Sequence, residues 1–363
     1  MKVVIIGAGV AGLACGWRLA EAGAEVTLLE RAQPAQGASW AAAGMIAVTA
    51  ETLDARAAEI EFAHYSNILW PDFAEQIEAI SNRTIGYCRS GALLLAEDQA
   101  ALARLRKRTG GGLEILTPAE ARAHAPMVTG PLAGALWAPG EAHVDNRALG
   151  VALSFAFQRA GGRLLVNEAV VRIERQGGAA AIAHTPFGHY HADVFVLAAG
   201  AWSGMIEPEL APITPVKGEM IALAPPKGTK LPGPVIWGNH IYAVPRDGRL
   251  LIGATAESVG FDTSTTDAAR DLLKGRAEEL IPALRDWTLT DHWAGLRPRS
   301  PDGLPLLGPT RVDGLWLAAG QFRNGILFAP AVAENITAQL LGKRAPIPAF
   351  DPRRLQLGFR ISF

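Results

Sequence analysis

The run Gly7-Ala8-Gly9-Val10-Ala11-Gly12 constrains this chain more than any other stretch. It follows Val3-Val4-Ile5-Ile6, a β-branched run suited to a strand buried on both faces. It precedes a helical pattern in which Leu13, Trp17, Leu19 and Ala20 can pack, stopped by Gly23. Glu25–Leu29 reads as the next strand, ending in Glu30. In such a unit Gly7 permits a tight turn, Gly9 lets backbone approach a pyrophosphate, and Gly12 lets helix and strand pack closely. The helix start, at Val10 and Ala11, adds N–H donors and partial positive charge for a phosphate. Glu30, 18 residues after Gly12, is placed to accept from ribose hydroxyls. A dinucleotide is therefore the expected ligand.

Glu30 would repel a 2′-phosphate, which disfavours NADP, although Arg31 beside it keeps that reading open. The fingerprint occurs once, whereas a flavoprotein fed by NAD(P)H needs two dinucleotide sites. Val194–Gly200 reads as a further buried strand ending in a glycine turn, a place where backbone can pass under a cofactor. FAD is favoured over NAD as the sole redox carrier, reduced by an organic substrate and reoxidised by oxygen or another acceptor.

The rest of the chain does not divide into two blocks. Helical patterns are expected over 55–80, 99–108, 117–124, 147–160, 267–281 and up to about Leu341. Strands are expected at Gly91–Leu95, Leu164–Val166, Ala169–Ile173, Gly218–Leu223, Ile241–Val244, Leu250–Ile252, Thr288–Leu296 and Leu315–Ala319. Gln36–Gly44 reads as a small-sided loop lying close to something. The expected fold is α/β: a Rossmann-like FAD-binding domain built from 1–80, 145–210 and 300–345, interleaved with an antiparallel-sheet substrate domain from 81–144 and 211–299. A length of 363 residues and an apolar share of 49% supply core enough for this.

Charge narrows the partners. Lys+Arg 34 against Asp+Glu 35 gives no electrostatic footprint for nucleic acid or an anionic membrane. No apolar run is long enough to span a bilayer. Cys15 and Cys88 exclude a disulfide framework and a Cys-rich metal site. Lys2 and the apolar stretch Val3–Cys15 imitate a signal peptide, but glycines cut it at the fingerprint positions, so the cytoplasm is the expected compartment. No His/Asp/Glu spacing suits a metal.

Several stretches, in chain order, resemble the FAD-dependent D-amino acid oxidase superfamily, and within it the glycine oxidases of thiamine biosynthesis. They are Val3–Glu30, Ala41-Ala42-Ala43-Gly44-Met45, Val196–Ser203, Pro215–Glu219 (PVKGE), Tyr242–Arg246 (YAVPR), Gly253-Ala254-Thr255, Trp293–Pro298 (WAGLRP) and Ala319–Pro330 (AGQFRNGILFAP). The resemblance implies oxidative deamination of an amino acid to an imino acid, then hydrolysis to the oxo acid and ammonia, with oxygen becoming hydrogen peroxide. It implies that Val10, Ala11, Glu30, Arg31, Ala38, Ser39, Ala43, Gly44, Met45, Val170, Gln321, Phe322, Arg323, Asn324, Gly325, Ile326 and Leu327 touch FAD, beside Gly200 of the glycine turn read above. It also implies that Arg297 holds the substrate carboxylate, with Arg323, Tyr242, Met45, Ala47 and His240 around the substrate, and it suggests a homo-oligomer. Gln321, Ala256 and Ala47 depart from residues common in that family, so glycine, sarcosine and small D-amino acids all stay open as substrates.

Each site residue has a plainer alternative. Arg297 ends an aromatic-apolar strand, where an unpaired charge is costly, so it either grips a substrate carboxylate or forms an ion pair with Asp291 or Asp302. Tyr242 is a pocket donor or a core tyrosine. Arg323 is a pocket residue or a surface or capping residue. The helix start at Asn324-Gly325-Ile326 is suited to aim N–H groups at the flavin pyrimidine. His64, His143 and His292 read as structural; His240, two residues before Tyr242, is placed on the same strand face and flanks the pocket. Neither cysteine occupies a covalent flavin position, so FAD is expected to be non-covalent. Two other functions remain: a dehydrogenase of the same superfamily using a quinone or another acceptor, and a tRNA-modifying role, which the charge balance argues against.

Overall fold

The computed structural model describes residues 1–53, 55–108 and 110–355. The Val-Val-Ile-Ile run lies at the centre of a six-stranded sheet whose order is Leu306–Pro309, Leu315–Ala319, Val194–Leu197, Lys2–Ile6, Glu25–Glu30, Arg163–Val166. All its pairings are parallel except that of the edge strand Leu306–Pro309. Helices Val10–Glu21, Asn146–Arg159 and Ala329–Leu340 cover one face, where Leu13, Trp17, Phe157 and Ile336 are fully buried. Burial on both faces is why the central strand carries no polar alternation.

An eight-stranded sheet has the order Thr288–Arg299, Thr214–Ala224, Arg249–Gly253, Ile241–Arg246, Val235–Gly238, Ala92–Ala96, Gly134–Ala138, Glu114–Leu116. Antiparallel pairing was expected throughout, and one seam departs from it: Val235–Gly238 runs parallel to Ala92–Ala96. These strands are far apart in sequence and joined by no hairpin, so nothing forces the antiparallel direction. The period of two sorts the faces. Ile241 and Ala243 join the core beneath helix Asp267–Leu280, whereas Tyr242 and Val244 face the other way with Leu94, Met220 and Trp293.

Three differences from the sequence reading matter for the site. Gln36–Gly44 contains a short helix, Ala38–Ala41, and its small side chains serve close packing. A Cβ on Gly295 would meet the Ala41 Cβ at 2.3 Å, and the Trp293 indole donates to the Ala41 carbonyl at 3.0 Å. The strand expected at Ala169–Ile173 runs instead over Arg172–Gln176, in a three-stranded sheet with Ala179–His184 and His189–His191. His240 is not on a strand: it sits with Asn239 in a left-handed turn (φ 59°), and the strand begins at Ile241. No helix among the described residues is long and apolar enough to cross a membrane.

Candidate active site

A cavity of about 1260 Å³ runs from the first glycine turn to the face of the eight-stranded sheet that carries Tyr242. The three glycines at its start are distinct. Gly7 has φ +106°, and a Cβ there would lie 2.6 Å from the Ala198 carbonyl oxygen. A Cβ on Gly12 would lie 2.0 Å from the Gly7 oxygen, so this glycine packs the turn onto the helix and stays out of the cavity. At Gly9 the nearest atom would be Ser39 Oγ at 3.5 Å, which leaves the space above the turn open. The Ser39 hydroxyl accepts from Val10 N at 2.9 Å. The Glu30 carboxylate accepts from Ala8 N at 2.7 Å and Ala32 N at 3.0 Å, and so is fixed at the cavity edge. The Arg31 guanidinium lies 3.4 Å from the Trp202 ring centroid; burial lowers its pKa, and the Glu30 charge opposes that shift.

The Ala43-Gly44-Met45 stretch is held from the far sheet. Arg246 donates to Ala43 O and Asn146 Oδ1, and to Val144 O at 2.7 Å. A Cβ on Gly44 (φ +78°) would lie 1.9 Å from that Val144 oxygen. Burial brings the Arg246 pKa down to about 10, which leaves it charged. On the other side, Gln321–Leu327 forms a turn before helix Ala329–Leu340 and lines the cavity throughout. Ser66 and Trp70 of the helix Ala57–Ser81 both donate to Leu327 O, at 2.6 and 2.9 Å. Asn324 Nδ2 donates to Glu59 at 2.9 Å. Asn324 Oδ1 and Gln321 Nε2 are buried without protein partners among the described residues.

Arg297 points into the same cavity. Gly218, opposite Gly295 in the paired strands, makes its room: a Cβ on Gly218 would lie 2.2 Å from Nη1 and 2.4 Å from Nη2. Nη1 donates to Thr255 O at 3.0 Å. The ion-pair alternative fails, because Asp291 binds Arg249 and Asp302 binds Arg354 at 2.9 Å. Among the described residues no carboxylate lies within 4.0 Å of Arg297. Tyr242 is 8% exposed and lies against Gly253, where a Cβ would be 2.5 Å from its ring. Its hydroxyl is 3.7 Å from the Met220 sulfur, and burial raises its pKa. Arg323 lines the cavity but is half exposed, with Nε 3.0 Å from Glu51.

Of the residues expected at the site, Val170, Gly200, Ala38, Ala11, Met45 and His240 also line the cavity, and only Gly12 and Ala47 do not. Ala47 is 1% exposed in the core, ahead of the short helix Val48–Glu51. Cys15 is buried, its thiol pushed up to about 12, and neither cysteine lines the cavity. Lys217 and Glu219 of the VKGE stretch form a buried pair at 3.0 Å that also engages His292 and Thr266 N, outside the cavity. Sequence reasoning missed Glu51, Glu59 and Trp237 in the cavity wall. Glu51 and Trp237 stand in segments with no motif, and Glu59 is one polar residue of an ordinary amphipathic helix.

An open cradle over Gly9, a fixed carboxylate at Glu30 and unpaired amide atoms at Gln321 and Asn324 fit an extended dinucleotide with a flavin ring at its far end. Fold and cavity together define a flavin-dependent oxidoreductase in which the glycine turn and the eight-stranded sheet share one cavity. The chain belongs to the DAO family of FAD-dependent oxidoreductases, whose profile matches residues 2–340, and FAD is its cofactor. It is 37% identical to a glycine oxidase of Pseudomonas aeruginosa, over 97% of both chains. It is 36% identical to a bifunctional ThiO/ThiG protein of Synechocystis over 97% of this chain, but spans only 54% of that relative's length. The crystal structure of glycine oxidase from Geobacillus kaustophilus superposes with a TM-score of 0.92 at 31% identity, covering 97% of this chain and 99% of that one.

Proposed function

We propose that this protein oxidises glycine, sarcosine or small D-amino acids to the oxo acid and ammonia (methylamine from sarcosine), with oxygen reduced to hydrogen peroxide, in the thiamine (thiazole) route. The observation that carries this reading is Arg297: a guanidinium without a described carboxylate partner, in the same cavity as the glycine cradle. The reading assigns FAD binding, without a covalent link, to 1–80, 145–210 and 300–345, and substrate binding to 81–144 and 211–299. The names of the relatives support the substrate class. Homo-oligomeric assembly and a cytoplasmic location belong to the same proposal, supported by the resemblance and by the two free cysteines.

FAD supplies two-electron acceptance from the substrate Cα–H. The residues of this chain do the rest. Arg297 takes the substrate carboxylate with a planar fork that a lysine cannot copy. Thr255 O holds one end of that fork, and Gly218 leaves room for it. The raised pKa of Tyr242 keeps its hydroxyl protonated and able to donate to the same carboxylate. Leu94, Met220 and Trp237 line the cavity, the last two against Tyr242, and add apolar wall that excludes water and limits side-chain size. The test is a panel of glycine, sarcosine, D-alanine, D-proline and glycolate with peroxide and oxo acid read together. Equal yields of peroxide and oxo acid from glycine, sarcosine and D-alanine, and of peroxide and cyclic imine from D-proline, support the proposal. Oxo acid formed only with an added acceptor, without peroxide, would assign a dehydrogenase instead.

A further inference from the structure

The mechanism above leaves unused a buried carboxylate beside Arg323 in the cavity wall. Glu51 ends the short helix Val48–Glu51, its side chain is 7% exposed, and it lines the cavity together with Arg297, Arg323 and Tyr242. Its Oε2 stands 3.0 Å from Arg323 Nε in poor hydrogen-bond alignment, and no other donor among the described residues reaches that atom. An ionised carboxylate buried this way is costly unless something else completes its shell. Arg297 and Arg323 both act on Glu51 electrostatically, and the same three charges act on Tyr242, so all four groups meet at one place. An amino acid zwitterion with its carboxylate on Arg297 needs an anion for its ammonium group, and Glu51 is the anion placed among these side chains.

Resting on the proposed amino acid substrate, we propose that Glu51 receives the substrate ammonium group and takes one proton from it. The N–H bond breaks, the proton joins a Glu51 oxygen, and the lone pair freed on nitrogen is what loss of the Cα hydride requires. Glu51 would then be a catalytic residue, not only a partner that positions Arg323. Its surroundings suit the role. Burial raises its proton affinity, while Arg323 and Arg297 pull it down. Glu141, buried on Thr49 N and Ala50 N, and Glu59, bound to Asn324, add negative charge from neighbouring elements. Tyr242 faces it from the sheet.

The test is the pH profile of kcat/KM for the FAD-loaded enzyme and for Glu51→Gln. With a protein base, the acid limb of the wild type belongs to Glu51, lies well below the substrate's own amine pKa, and is the same for substrates of different amine pKa. Glu51→Gln should lose roughly 10²-fold at pH 7 and recover most of it as the free amine becomes neutral at alkaline pH. Its affinity for glycolate, which has no ammonium group, should be unchanged or tighter. A loss that is equal at every pH would make Glu51 a positioning residue for Arg323 and overturn the proposal, as would no loss at all. If Glu51→Gln does not fold, the wild type decides: an acid limb that tracks each substrate's amine pKa overturns the proposal while the oxidase reading stands. A wild type that oxidises no amino acid overturns both.

Discussion

Gly218→Ala displaces the Arg297 guanidinium without altering any charge. The new methyl group would lie 2.2 Å from Nη1, against an ordinary contact of 3.4–4 Å. The guanidinium must therefore retreat by about 1.2 Å, and a misplacement near 1 Å in a bound geometry costs roughly 10²-fold. That corresponds to about 2.7 kcal/mol in kcat/KM. The displaced atoms are the far end of a flexible side chain, so folding should be nearly unaffected and the melting temperature should hold. Flavin content should also hold, since the atoms nearest the new methyl all belong to Arg297. The assay is kcat/KM for glycine and the inhibition constant of glycolate, both measured against flavin content on one preparation. Both constants should worsen together in Gly218→Ala. In the Arg297→Ala background the same methyl should change little, because the group it displaces is gone. Wild-type kcat/KM and glycolate affinity in Gly218→Ala would refute the reasoning, for then the position of Arg297 does not matter to the substrate.

Gly9→Val should fold and melt as the flavin-free wild type does, but purify without flavin, because its side chain enters the open space above the turn; full flavin occupancy would contradict the cradle. Arg246→Ala should cost on the order of 3 kcal/mol and weaken FAD binding, since it strands the Ala43 and Val144 carbonyls; thermal melts with and without FAD check this. Glu141 has its pKa raised to about 7, so the folded state binds more protons than the unfolded one between about 4.5 and 7, and stability falls as pH rises through that window. Glu141→Gln should therefore leave the melting temperature at pH 5 nearly unchanged and raise stability at pH 8 by up to about 3 kcal/mol; a difference independent of pH would rule this out.

The parts of the fold legible in the sequence are those set by local rules. Gly7, Gly9 and Gly12 carry their roles in spacing alone, and the alternation at Ile241–Val244 separates the two faces of a strand. Register and pairing direction were not legible. The parallel seam between Val235–Gly238 and Ala92–Ala96 joins segments that no local pattern links. The same limit applies at the cavity. Arg297 stands out because a charge ends an apolar strand, but Gly218 and Thr255, which seat it, lie in other strands and loops. Glu51 gives no signal, since a glutamate in a short polar stretch is indistinguishable from a solvated one until the fold buries it. Ala47 is misplaced for a related reason: the chain turns into the core over 46–48, between Met45 and Ala50 of the cavity wall, and no local pattern marks that turn.

The most direct test of the account is anaerobic reduction of the bound flavin, followed by its visible absorbance, in wild type and Arg297→Ala. Glycine or another small amino acid should bleach the wild-type flavin, and admitting oxygen should restore the colour with one peroxide released per turnover. Arg297→Ala should hold the same amount of flavin and reduce it roughly 10²–10³-fold less efficiently, because a buried substrate carboxylate loses its partner. A wild-type flavin that no small amino acid bleaches, or an Arg297→Ala protein reduced as readily as the wild type, would contradict the account.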